Sequence, residues 1–286
     1  MKQQAVIQES DGVVRVDKYL AQRYPEYSRA AITKLFELKL IKLHGEPIMP
    51  GHKLRPGNSF EYDLGPLQAK PEVIPLPVIY EDADVIVVDK PAGIISHARG
   101  RFWQEASVAS FIRDKISGME GERGGIVHRL DRATSGVMIC AKNEAALKFL
   151  QKQFSDRKVQ KQYVAVIAGQ LEHDKATIEA PIARNPKDPK RFMVSEHGKT
   201  AQTDYVVAYK GDAYSVVSLL PKTGRTHQLR LHLGYLGHPI VGDELYGGEP
   251  AVRLMLHAQK LTIKLPSGVS ETFISELPKE MSAYER

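Results

Sequence analysis

The sequence predicts an α+β protein: a small mixed domain, then a larger one built on a mostly antiparallel sheet. Three observations carry this. Between Gly65 and Pro77 the stretch GPLQAKPEVIPLP puts four prolines where no helix interior or central strand would tolerate them. Upstream of it, two helical apolar stripes precede short strand-like segments. Downstream, strand-like runs and helical patterns mix without regular βαβ alternation. At 286 residues the chain is long enough for two cores. The expected boundaries are a tail over 1–12, a small domain over 13–64, a linker over 65–77 and a large domain over 78–286.

In the small domain, VRVDKYLAQRY carries Val16, Tyr19, Leu20 and Tyr24 on a helical stripe. Ser28 stands where a cap belongs, ahead of AAITKLFEL with Ile32, Leu35 and Phe36 on one face. LIKLHGEPI reads as a hairpin turning at Gly45, and RPGNSFEYDL as a turn entering a strand. Residues 15–55 hold nine Lys or Arg against four acids, most of the formal +6 of the whole chain. A cation at a helix start, beside outward-pointing N–H groups, suits phosphate, and Arg29 is best placed for that. A solvated charged face would explain the same density.

In the large domain, VIYEDADVIVVDK predicts two strands around an acidic turn. KQYVAVIAG, TAQTDYVVAYK and YSVVSLLP predict further strands. Helices are expected at SVASFIRDKI, NEAALKFLQKQF and THQLRLHLGYL. No apolar run approaches the ~20 residues of a membrane span, so no membrane partner is expected. The start, MKQQAVIQESDG, lacks the apolar core of a secretory signal and reads as unprocessed. A single cysteine, Cys140, in the apolar run GVMICAK, fits a reducing cytoplasm and a buried structural side chain.

The chemistry concentrates in GGIVHRLDRATSG. Ile126 and Val127 are expected to end a strand and Gly136 to begin another, with the loop between them held by its own Thr and Ser hydroxyls. Asp131 sits in that loop, where capping the turn is the plain structural alternative. His128, Arg129 and Asp131 superficially match a kinase catalytic loop, but no glycine-rich phosphate loop or Asp-Phe-Gly accompanies them. There is no Gly-x-Ser-x-Gly elbow and no GxxxxGK[ST]. His227 and His232, five apart on an expected helix, point different ways, so no metal is expected. One carboxylate in a basic protein remains.

HRLDRATSG resembles the signature of the RluA family of pseudouridine synthases. VIVVDKPAG, KVQKQYVAVIAG, PIARNPKDPKRFMV, HGKTAQTDY, TGRTHQLRLH, GDELYG and LHA follow the order of that family's other motifs. The segment SHARGRFWQEASV, 96–108, departs from the common pattern. The small domain resembles the RNA-binding domain named after ribosomal small-subunit protein four, with Lys39 and His44 where that family often has Gly and Asn. The resemblance implies a pseudouridine synthase fold, with Asp131 as catalytic carboxylate, Tyr163 against the target uracil and Arg225 as salt-bridge partner of Asp131.

That chemistry breaks the bond from ribose C1′ to N1, turns the uracil and joins C5 to C1′. A carboxylate of reference pKa ~3.9 is ionised near neutrality and can attack the sugar or take a proton from it. Tyr163 would stack on the loose base, and its hydroxyl would serve the C5 proton. His128 and Arg129 are expected to fill the stack left by an extruded uridine or to touch phosphate. Lys90 and Lys222 are expected as phosphate contacts or structural cations, and GDELYG as structural. The implied partner is RNA, most plausibly large-subunit ribosomal RNA, with no cofactor and a monomeric enzyme. A noncatalytic RNA-binding assembly factor of the same fold is the alternative.

Overall fold

The computed structural model describes residues 2–69, 72–98, 105–119 and 123–285. Residues 99–104 of the divergent segment therefore lie outside the described residues. The chain divides into two compact units, the first mainly the residues up to Glu72, the second Val73–His97 with Ala106 onward. Among the described residues no helix is long and apolar enough to cross a membrane.

In the first unit the expected helices form over Val16–Arg23 and Arg29–Glu37, the latter capped by Ser28, whose Oγ accepts from the Ala31 N–H at 3.2 Å. Their apolar stripes bury Val16, Leu20, Ile32 and Leu35 against Ile41, Leu54 and Phe60. The hairpin joins Ile41–Leu43 to Glu46–Pro47 through His44 and Gly45, both at positive φ (52° and 84°). Lys39 also takes a left-handed φ of 57°, so both positions where the resembling domains carry Gly or Asn need that conformation here.

Two boundaries differ from expectation. The tail is a strand: Lys2–Val6 pairs antiparallel with Ser59–Asp63 and buries Ala5, while Ile7 enters the core just beyond it. Its polar start, KQQ, hides a strand whose inward residues are few. The linker begins with a helical turn, Gly65–Gln68, that seats Leu67 in the first unit's core. Pro66 stands at its start, where a missing N–H costs nothing.

The second unit is built on a nine-stranded sheet. From one edge the order is Lys175–Glu179, Gln202–Lys210, Tyr214–Pro221, Gln160–Ala168, Leu256–Lys264, Ser135–Ala141, Val85–Lys90 and Val78–Glu81, and Ser270–Ile274 also pairs with Leu256–Lys264. Every pairing is antiparallel except that of Leu256–Lys264 with Ser135–Ala141. The run VIVV is apolar throughout because both faces are covered. Val85 and Val87 meet Ala146 and Leu150 of the helix Glu144–Ser155, while Ile86 and Val88 meet Val108 and Ile112 of the helix Val108–Ile112. Where the parallel pair meets, Gly136 (φ 116°) lies against the Ala258 backbone and leaves no space for a Cβ. Ile126 makes only an isolated bridge to Cys140, not the strand expected there.

Candidate active site

Among the described residues the loop carrying Asp131 is held from outside, not by its own hydroxyls. Ser96 Oγ donates to the Leu130 carbonyl at 2.8 Å and accepts from the Leu130 N–H at 3.0 Å. The Gly93 N–H donates to the Arg132 carbonyl at 2.8 Å. Ser135 turns away to His257 Nδ1, at 2.8 Å. Lys90, expected as a phosphate contact or a structural cation, is fully buried, which excludes the first role and fits the second. Its ammonium donates to the carbonyls of Pro91 and Ile94, both at 2.8 Å, and reaches toward that of Arg132 at 3.4 Å. Burial pulls its pKa down to about 7, against an upward pull from Asp131. The Lys-Pro-Ala-Gly element is thus a clamp on the Asp131 loop.

Asp131, Tyr163 and Arg225 line one cavity of about 110 Å3, together with Arg129, Lys161 and Arg230. Tyr163 stands beside a register shift between Gln160–Ala168 and Leu256–Lys264. Such bulges re-aim side chains near functional sites. Burial and the nearby Asp131 carboxylate push the Tyr163 phenol well above its ordinary value, so it enters the cavity as a protonated donor.

Arg225 shares the cavity but not the expected salt bridge. Its Nε donates to the Thr200 carbonyl at 3.1 Å, and among the described residues it forms no ion pair with Asp131. The reason is local: the loop before the helix Gln228–Tyr235 is pinned by the buried Gln228 amide. Its Oε1 accepts from the Thr223 hydroxyl and the Arg225 N–H, and its Nε2 donates to the Gln202 carbonyl. The arginine one helical turn further on, Arg230, is the buried one. It makes a two-point pair with Asp243 at 2.7 and 2.6 Å, its guanidinium 4.9 Å from the Tyr246 ring centroid. Burial opposes its charge, but Asp243 and the field of Asp131 outweigh that and raise its pKa.

His227, at the start of that helix, has φ 57° and places Nε2 3.9 Å from Asp131 Oδ2, beyond hydrogen-bond length. Its Nδ1 lies 2.7 Å from the Tyr246 hydroxyl. Burial lowers its pKa, Asp131 pulls it upward, and Arg230 adds to the lowering. Arg230, His227 and Tyr246 were missed as site residues. The signal was present in the second arginine of TGRTHQLRLH and in GDELYG, which contributes Asp243 and Tyr246.

The remaining expectations divide. His128 stacks on Phe154, ring centroids 4.6 Å apart, while its Nε2 accepts the Ile139 N–H at 3.1 Å. Burial, aided by the Lys161 charge, holds its pKa down at about 3. A ring so committed cannot wedge into RNA, and that role is corrected. Arg129 is exposed and lines the Asp131 cavity and two neighbouring ones. Lys222 is half exposed and paired with Asp204 at 3.0 Å. In the first unit Arg29 is exposed at its helix start, with one N–H on Asp17 at 2.7 Å.

Among the described residues this cavity joins one carboxylate to one tyrosine inside a basic wall, with no second carboxylate lining it. Residues 84–235 match the RNA pseudouridylate synthase family. The chain is 43% identical over 242 residues to an uncharacterized RNA pseudouridine synthase of Aquifex aeolicus, covering 82% of this chain and 77% of that one. It is 38% identical to the ribosomal large subunit pseudouridine synthase D of Borreliella burgdorferi, covering 94% and 88%. The structure of human RNA pseudouridylate synthase domain containing 1 superposes with a TM-score of 0.59 at 31% identity, covering 73% of this chain and 86% of that one. The chain belongs to the RNA pseudouridylate synthase family and is an RNA pseudouridine synthase.

Proposed function

We propose that this enzyme isomerises uridines of large-subunit ribosomal RNA in the cytoplasm, with Asp131 as the reacting carboxylate. The observation that carries the reading is the convergence of Asp131 and Tyr163 on one cavity walled by arginines. The likeness to the Borreliella ribosomal large subunit pseudouridine synthase D supports the choice of RNA. The basic excess of the first unit supports phosphate binding outside the catalytic cavity, with residues 13–64 as the RNA-binding module.

An extruded uridine presents its ribose to Asp131, at a cost of a few kcal/mol of lost stacking. The C1′–N1 bond breaks, the uracil turns against the Tyr163 ring, and C5 bonds to C1′. C5 gives up its proton and N1 gains one, with no change of oxidation state. A protonated Tyr163 offers a hydrogen bond to the turning base, not a base for the C5 proton at neutral pH. Arg230, fixed by Asp243, supplies positive potential beside Asp131 without pairing with it.

The test is to incubate unmodified ribosomal RNA with the protein and map pseudouridine chemically. Wild type is expected to modify it, and Asp131→Asn to bind it without product. RNA bound but never isomerised by wild type would overturn the reading in favour of an assembly role.

A further inference from the structure

Arg129, Arg157 and Lys161 line a second cavity of about 400 Å3, into which no carboxylate projects among the described residues. Among those residues none of the three side chains makes a hydrogen bond or ion pair, whereas Lys222 on the same wall is held by Asp204. Arg157 reaches this wall from a left-handed turn (φ 58°) that closes the helix Glu144–Ser155.

Lys161 is the unusual member. It is half-buried, two residues before Tyr163 on the same strand, and it lines both the Asp131 cavity and the basic one. Burial lowers the pKa of its ammonium, and no protein group offsets the loss. A charge withdrawn from water without a counter-ion costs stability. A fold retains one where an incoming anion completes the pair. Lys161 therefore offers a charge without a counter-ion on the wall that the Asp131 cavity shares with the basic one.

We propose that Lys161 seats the phosphodiester next to the extruded uridine, while Arg157 and Arg129 hold the chain that leads to it. This rests on the reading that the uridine enters the Asp131 cavity. Lys161 would then set where the ribose stands relative to the carboxylate, as a binding residue and not a reacting one.

The test measures binding in an Asp131→Asn background, on a ribosomal RNA fragment that wild type is separately shown to isomerise. Adding Lys161→Met is expected to weaken binding roughly tenfold to a hundredfold. The slope of log affinity against log salt should become shallower by about 0.7, the value for one phosphate contact on a single strand. Lys161→Arg should recover most of both. The melting temperature of the free Lys161→Met protein should stay level or rise, since an unpaired charge is removed. A methylphosphonate at one linkage beside the uridine should weaken the parent as Lys161→Met does and add nothing to that variant. An unchanged salt slope, a fall in melting temperature, or equal additive losses at every linkage would overturn the proposal. Failure of wild type to isomerise any ribosomal RNA that it binds overturns the assigned reaction and this proposal with it, whereas an unchanged salt slope on an isomerised fragment overturns the Lys161 assignment alone.

Discussion

Each unit contains an arginine–aspartate cluster, and the two are built to opposite ends. In the first unit Arg15 and Arg29 both grip the buried Asp17, at 3.0 and 2.7 Å, their own side chains 43% and 59% exposed. In the second, Arg230 grips Asp243 with both partners buried. Two cations on one acid leave positive charge facing solvent, and a pair whose cation stays in water holds a fold together by only about 0–1 kcal/mol. A buried pair is a framework, because removing one partner strands the other charge at a cost of about 3–5 kcal/mol. In the proposed reading the same chemistry offers charge to RNA in one place and fixes a field beside Asp131 in the other.

The largest expected effect follows from breaking the buried cluster. Asp243→Asn should lower unfolding free energy by about 3–5 kcal/mol in urea titration and depress turnover. A loss below about 1 kcal/mol would erase the contrast with Asp17. Next comes a paired comparison inside one motif. Arg230→Lys gives up two-point contact and should cut kcat roughly a hundredfold, while Arg225→Lys should stay within roughly threefold. The reverse ranking in single-turnover assays would restore Arg225 to the role the family resemblance implied.

A third effect is thermal. His97 and His128 have pKa values lowered to about 4 and about 3, mainly by burial. The unfolded chain therefore binds more protons than the folded one below about 6.5, and stability should fall as pH drops through that range. Each histidine contributes up to about 1.4 kcal/mol per pH unit. A melting temperature flat between about pH 6.5 and 5 would mean that neither ring is kept neutral by the fold. The smallest effect belongs to the exposed cluster: Arg29→Ala should cost under about 1 kcal/mol and show instead as a shallower salt dependence of RNA binding.

Much of this architecture was legible because local signals agreed with it. Ser28 before an apolar stripe, Asn143 at the head of NEAALKFLQKQF and His44-Gly45 between short strands each carry their own geometric reason. The strand Leu256–Lys264 was visible only as the fragment LHA, since its buried His257 breaks any apolar alternation. At the site, Asp131 and Tyr163 were found through motif order, and both line the cavity. What the sequence misled on was pairing. Lys90 reads equally as a phosphate contact or a structural cation until the sheet buries it, and the family resemblance makes Arg225 the partner of Asp131 until the Gln228 amide fixes its loop. Long-range contacts decide which charges meet, and no spacing encodes them.

The register shift beside Tyr163 has a consequence for chain length. Gln162 faces Lys260 and Tyr163 faces Ala258, so Gln259 is a surplus residue between two segments with separate obligations. Toward the N-terminus, His257 and Ala258 align with Ser135 and Gly136; toward the C-terminus, Lys260–Lys264 zips to Ser270–Ile274. Gln259 works as a spacer that lets both alignments coexist. Excising it would force the strand to abandon one set of neighbours, so a single-codon deletion at this ordinary glutamine should be less tolerated than most replacements of its side chain.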